Sequence, residues 1–231
     1  MKGRFLNQVK ALFLQNLKIE LSTPERFLSP LLFSITIIIM FSFAMGKMEP
    51  SLIVKTFIAQ TYLTAFFALQ VSFARAFDPD THDGVFQQMR TYPVISSAWF
   101  LSKYAMVVFM GSLILIPTML VSLFFSPAVD LSIPLNFLLI PLLVILGLSP
   151  IGVLLSTMTM RSGAKQIIFP ILYFPMTAPV LIAAVESSQA ILLQQSTVSE
   201  LMNSWLGLLS IFDIIYITLG LMLFGELVKA E

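Results

Sequence analysis

An all-α integral membrane protein with six transmembrane helices is the fold class this sequence predicts, and three observations carry it. Of 231 residues, 58% are hydrophobic and 11% charged, where an ordinary soluble domain carries about 25% charge. The apolar residues fall into runs of the ~20 that a helix needs to cross a ~30 Å hydrocarbon core. The lysines and arginines collect on alternate connections between those runs, as they do in membrane proteins of fixed orientation.

Residues 1–26 come first. Phe5, Val9, Leu12 and Phe13 recur at the spacing of one helical face, among Lys2, Arg4, Lys10, Lys18 and Arg26. Such a basic amphipathic helix reads as an interfacial segment on an anionic leaflet. A signal peptide is the rival reading, but its apolar stretch would open at Pro30 and lacks a small-x-small cleavage site. The remaining residues, 27–231, form one six-span domain.

The spans predicted are 27–46, 52–73, 98–125, 131–160, 167–185 and 205–225. The first is free of charge and ends at Gly46-Lys47; the second holds Lys55 near one end, where its stem can snorkel. The third contains Pro117, and the fourth Pro134, Pro141 and Pro150 with Gly147 and Gly152, so kinks are expected at Pro117 and Pro141. The fifth carries Pro170, Pro175 and Pro179. Membrane helices tolerate proline when neighbours satisfy the freed carbonyls, but three in one span favour a broken or re-entrant segment, kinked at Pro175 and Pro179. A polar stretch over 186–203 precedes the sixth span.

With the N-terminus inside, eleven of the thirteen basic residues lie on the cytoplasmic side, and Lys47 and Lys55 alone fall outside. Both termini are therefore expected in the cytoplasm.

The longest internal run too polar to cross a bilayer is 75–103. After the Asp83-Gly84 turn, Val85, Phe86 and Met89 fall on one side and Gln87, Gln88 and Arg90 on the other, until Tyr92-Pro93 ends the helix. This reads as a small docking helix at the cytoplasmic surface. The cluster Asp78-Pro-Asp80-Thr-His82-Asp83-Gly84 raises a metal reading, but an EF-hand needs glycine at its sixth position and glutamate at its twelfth. Here Gly84 is seventh and Met89 twelfth. Turn and N-cap roles suit these aspartates better, and His82, the single histidine, is one ligand where metal sites recruit several. No metal site is expected.

There is no cysteine, which excludes disulfides, thiolate catalysis and Cys-ligated zinc. No G-x-x-x-x-G-K-[ST] loop occurs, so the chain has no P-loop with which to hydrolyse ATP. A net charge of +1 gives no basis for nucleic-acid binding. Asp213 is the one acidic residue well inside a span, and a charge there is by default functional or half of a pair. Lys55 is the partner in reach; pairing and a direct role both stay open.

The order Phe77-Asp78-x-Asp80-x-x-Asp83-Gly84-x-x-x-Gln88, then Pro93 and Lys103, resembles the loop after the second span of the heme exporter protein B family, permease subunits of the cytochrome c maturation ABC transporter. Arg161-Ser-Gly163 and Phe174-Pro175-Met-Thr-Ala-Pro179-Val-Leu-Ile182 resemble that family's inner turn and fifth span. Gln87 stands where the family has an acidic residue, and Met106-Val107-Val108 where it commonly has His-Trp.

The resemblance implies an ABC-2-type exporter permease in the bacterial inner membrane, not itself an enzyme. It would bind no cofactor, with ATP held by a separate ATPase subunit and heme as a potential cargo. It implies further heme-handling membrane partners and two docking sites per complex, met by a homodimer or a second permease. The docking helix (Asp83, Gly84, Val85, Phe86, Gln87, Met89 and Arg90) would then be the coupling helix, with Phe86 and Met89 inserted in a groove of the ATPase. The work done would be heme export, or ATP-driven release of a heme-loaded chaperone. An ABC-2 permease for a drug, lipid or glycan is the alternative.

Overall fold

The computed structural model describes residues 2–46, 49–81, 85–126, 135–160, 162–193 and 198–230. Those residues are almost all helical, with no strand among them. Six helices are long and apolar enough to span a membrane.

Helix α1 (Lys2–Ser22) stops at Thr23-Pro24, because proline carries no N–H to continue the ladder. Helix α2 (Glu25–Met45) is the first span and ends on Gly46, whose φ of +62° lies where only glycine is comfortable. Helix α3 (Pro50–Ala74) opens with proline in its first turn. Two short helices follow, α4 (Asp78–Thr81) and α5 (Val85–Thr91), then the long α6 (Ser96–Phe124). A 3₁₀ turn (Leu135–Leu138) leads into α7 (Leu139–Thr159). Helix α8 (Lys165–Leu192), the short α9 (Val198–Met202) and α10 (Trp205–Ala230) complete the chain.

The bundle is built around α7, which packs against α3, α6, α8 and α10. Its glycines let neighbours approach, and three of its buried hydroxyls are satisfied at home, while Ser156 donates to the Ala74 carbonyl of α3 at 3.4 Å. Ser149, Thr157 and Thr159 each donate to the carbonyl four residues back, at 2.6–2.8 Å. Helix α2 is peripheral, against α3 and α6. Polar pairs pin the other interfaces. Ser34 and Thr118 hydroxyls lie 2.8 Å apart between α2 and α6, and Tyr62 and Ser188 3.0 Å apart between α3 and α8. Ser122 of α6 accepts from Gln60 at 3.0 Å and lies 2.6 Å from the Thr61 hydroxyl.

Two expectations are corrected here. The fifth span is neither broken nor re-entrant: α8 is one helix of 28 residues running through Pro170, Pro175 and Pro179 and on past Glu186. Each proline removes a single donor, which a long helix held by neighbours survives. Among the described residues the α-helix of the fourth span begins at Leu139, after the 3₁₀ turn. Pro141 therefore falls in its first turn, where no intrahelical N–H bond is lost and no kink is required. Pro117 lies within the continuous α6.

Helix α1 also has a protein partner, packing along the first half of α6. The face bearing Phe5, Val9, Leu12 and Phe13 is partly buried, while Leu6, Leu14 and Leu21 stay exposed.

Candidate functional site

The start of α2, the ends of α3 and α7 and the starts of α6 and α8 meet at one end of the bundle, with α4 and α5 between α3 and α6. Helix α5 is held there by an aromatic chain. The Phe86 ring, 3% exposed, lies 5.3 Å from Trp99, which meets Phe224 edge-on at 5.7 Å. Phe224 in turn lies 6.2 Å from Phe77 and 5.7 Å from Phe100. Phe86 is thus an internal anchor joining α5 to α6 and α10. This corrects the expectation that it inserts into a partner: the apolar face of α5 is used up by the bundle itself, with Val85 and Met89 partly buried beside it.

What α5 leaves outside is Gln87, Gln88, Arg90 and Thr91, continued by Tyr92 at 62% exposure. The sequence reading passed over Tyr92 as a helix stop; an aromatic placed beside a polar face was the available signal. Arg90 Nη2 donates to the Lys229 carbonyl at 3.0 Å, tying α5 to the last turn of α10, where helix carbonyls lack intrahelical donors. His82, Asp83 and Gly84 lie outside the described residues.

Ion pairs fix the neighbouring segment. Asp80 is ion-paired with Lys103, whose side chain is 3% exposed, sits 4.9 Å over the Phe77 ring and donates to the Ala76 carbonyl at 3.4 Å. Asp78 pairs with Lys165, joining α4 to the first turn of α8. A buried ammonium is tolerable only with such partners. Sequence placed Lys103 at the inner end of its span but could not supply the partner 23 positions away.

Helix α1 clasps the same region. The Gln8 side-chain amide donates to the Pro93 carbonyl at 3.1 Å and accepts from the Ile95 N–H at 3.3 Å, at the N-cap of α6. Farther along, Glu20 meets Arg26 at 3.4 Å. Burial pushes the Glu20 carboxyl above its ordinary pKa; the nearby Arg26 opposes that without cancelling it.

Asp213 lies within the first half of α10, away from this belt. It is 6% exposed, and its Oδ1 has no hydrogen-bond partner among the described residues. It faces α7 at Gly147, where a Cβ would stand 2.1 Å from that oxygen. Lys55 is exposed on α3, and no ion pair joins the two. The expected pairing is therefore not made, because Asp213 points into the bundle and Lys55 out of it.

The arrangement is mechanical. Phe86 and Arg90 link α5 to α6 and α10, and Asp78 links α4 beside it to α8. Among the described residues no group of three or more His, Cys, Asp or Glu could hold a metal ion. A family model described as CcmB protein matches residues 7–229. No curated protein matches the chain.

Proposed function

The chain belongs to the CcmB family of heme exporter protein B permeases, and on that premise we propose that it couples ATP hydrolysis by a partner to heme delivery through α5. The family is the membrane permease of an ABC transporter for cytochrome c maturation and works with a separate ATPase subunit. The chain is accordingly a multi-pass membrane protein. The finer reading goes further. The ATPase grips the outer side of α5, with Tyr92 as its aromatic anchor and Gln87, Gln88 and Thr91 around it. Phe86 carries the push inward to Trp99 and Phe224; the Asp78–Lys165 and Arg90–Lys229 links carry it to α8 and α10.

The observation that carries this reading is the internal anchoring of Phe86, which makes α5 a lever that cannot slip against the bundle. The basic residues are counted at the α5 end, which supports cytoplasmic termini in the bacterial inner membrane. Two ATPase subunits require two such levers, hence a homodimer or a second permease. Other heme-handling membrane proteins complete the assembly. Among the two kinds of work, release of a heme-loaded chaperone is favoured: the single histidine lies in the loop containing α4 and α5, not in a span.

The test is Tyr92→Ala with Gln88→Glu in a strain lacking the native chain. An aromatic hot spot is worth about 2 kcal/mol or more, ~30-fold in dissociation constant. Co-purification of the ATPase should fall accordingly, covalent heme on periplasmic c-type cytochromes should fall with it, and membrane insertion should be unchanged. Undiminished co-purification would remove α5 from the coupling role.

A further inference from the structure

A cleft opens between α1, α2, α3 and α6 beside the ion-pair belt, and we infer that it holds the phosphate of an anionic phospholipid. Its polar wall carries Asn16, Arg75, the Glu20–Arg26 pair and Lys103; its apolar wall carries Phe27, Met106 and Met110. Asn16 is only 8% exposed, yet among the described residues its side-chain amide has no hydrogen-bond partner. Its amide, open to the cleft, is therefore available to a group entering from outside. Arg75, on the same wall, is exposed and likewise has no side-chain partner among the described residues.

Charge points the same way. Arg26 is met by Glu20, and Lys103 by Asp80, so the uncompensated charge at the cleft is the Arg75 guanidinium. A guanidinium and an amide, both donors, converge on one opening. That set fits an oxyanion with several acceptor oxygens, and Arg suits phosphate through paired N–H groups.

Size and surroundings choose the source. The cleft's volume is about 30 Å³, above the ~10–15 Å³ that one water-sized group needs, so phosphate oxygens enter while the rest of the headgroup stays at the mouth. The apolar wall then meets the start of the acyl chains. Helix α1 beside it exposes Leu6, Leu14 and Leu21 together with Lys10 and Lys18, a pattern suited to the headgroup boundary of an anionic leaflet. A free phosphate would use the polar wall alone and leave the apolar one idle.

The test uses the full chain in mild detergent, with lipid retention read by native mass spectrometry. Phosphatidylglycerol should be retained over phosphatidylcholine, and Arg75→Ala should lower that retention about tenfold, the loss of one charge-assisted pair. Arg75→Lys should restore part of it. Asn16→Asp, which puts a carboxylate against the phosphate, should act like Arg75→Ala. Lys10→Ala, an exposed cation outside the cleft, should change retention by less than about twofold, as screened surface charges do. Equal retention of both lipids, an equal loss from Lys10→Ala, or full displacement of the lipid by millimolar inorganic phosphate would each overturn the assignment. Should Arg75→Ala fail to fold, the lipid comparison and the phosphate competition on the unaltered chain decide by the same criteria.

Discussion

Replacing Gly147 with alanine should loosen the contact between α7 and α10, and replacing Asp213 as well should restore it. The new Cβ would stand 2.1 Å from Asp213 Oδ1 and 3.7 Å from Val180 Cγ1. Non-bonded carbon and oxygen pack at well over 3 Å, so about 1 Å of movement is required. Asp213 is 6% exposed and has little room to supply it. Overpacking of this kind costs roughly 1–3 kcal/mol. Asp213→Ala alone should be near neutral or stabilising, since Oδ1 has no hydrogen bond to lose and an unpaired intramembrane carboxyl is a burden. The double variant should therefore recover most of the Gly147→Ala loss, giving a coupling of about 1–3 kcal/mol. Trp99 and Trp205, the two tryptophans, report unfolding by fluorescence in detergent, on all four proteins of the cycle. Strictly additive effects would mean that the alanine methyl meets something other than this carboxyl, and the close approach of α7 to α10 would have to be abandoned.

Two further outcomes follow from the belt. Asp80→Ala should cost about 3–5 kcal/mol by stranding the buried Lys103 ammonium, whereas Asp80→Leu combined with Lys103→Met should recover much of it; thermal melts of these two variants beside the unaltered chain check this, and a silent Asp80→Ala would refute it. Because burial raises the Glu20 pKa, the folded chain binds that proton more tightly than the unfolded one, so stability should fall as pH rises from 4.5 through the raised folded value. Glu20→Gln should remove this part of the pH dependence, and identical slopes for the two proteins would count against it.

Much of the fold was readable because a bilayer demands long apolar runs, and α2, α3, α6, α8 and α10 begin within two residues of where those runs do. The end of α8 was not, since Ser187 and Ser188 look polar in sequence yet lie buried, Ser188 against Tyr62 of α3. The site was legible in part. Period alone placed Val85, Phe86 and Met89 on one face, but a period reports which residues share a side and not whose surface covers it. Phe86 met its own bundle. Lys103 and Asp80, like Gln8 and Pro93, are joined by the packing of helices that no local pattern relates.

The order in which the helices are made gives the home-satisfied hydroxyls of α7 a further meaning. When α7 enters the membrane, α2, α3 and α6 have gone before it, but α8 and α10, two of its four neighbours, follow later in the chain. Ser149, Thr157 and Thr159 bond to their own helix's carbonyls, so α7 can wait in lipid with those groups satisfied. The central member of the bundle can thus be inserted before the partners that will enclose it.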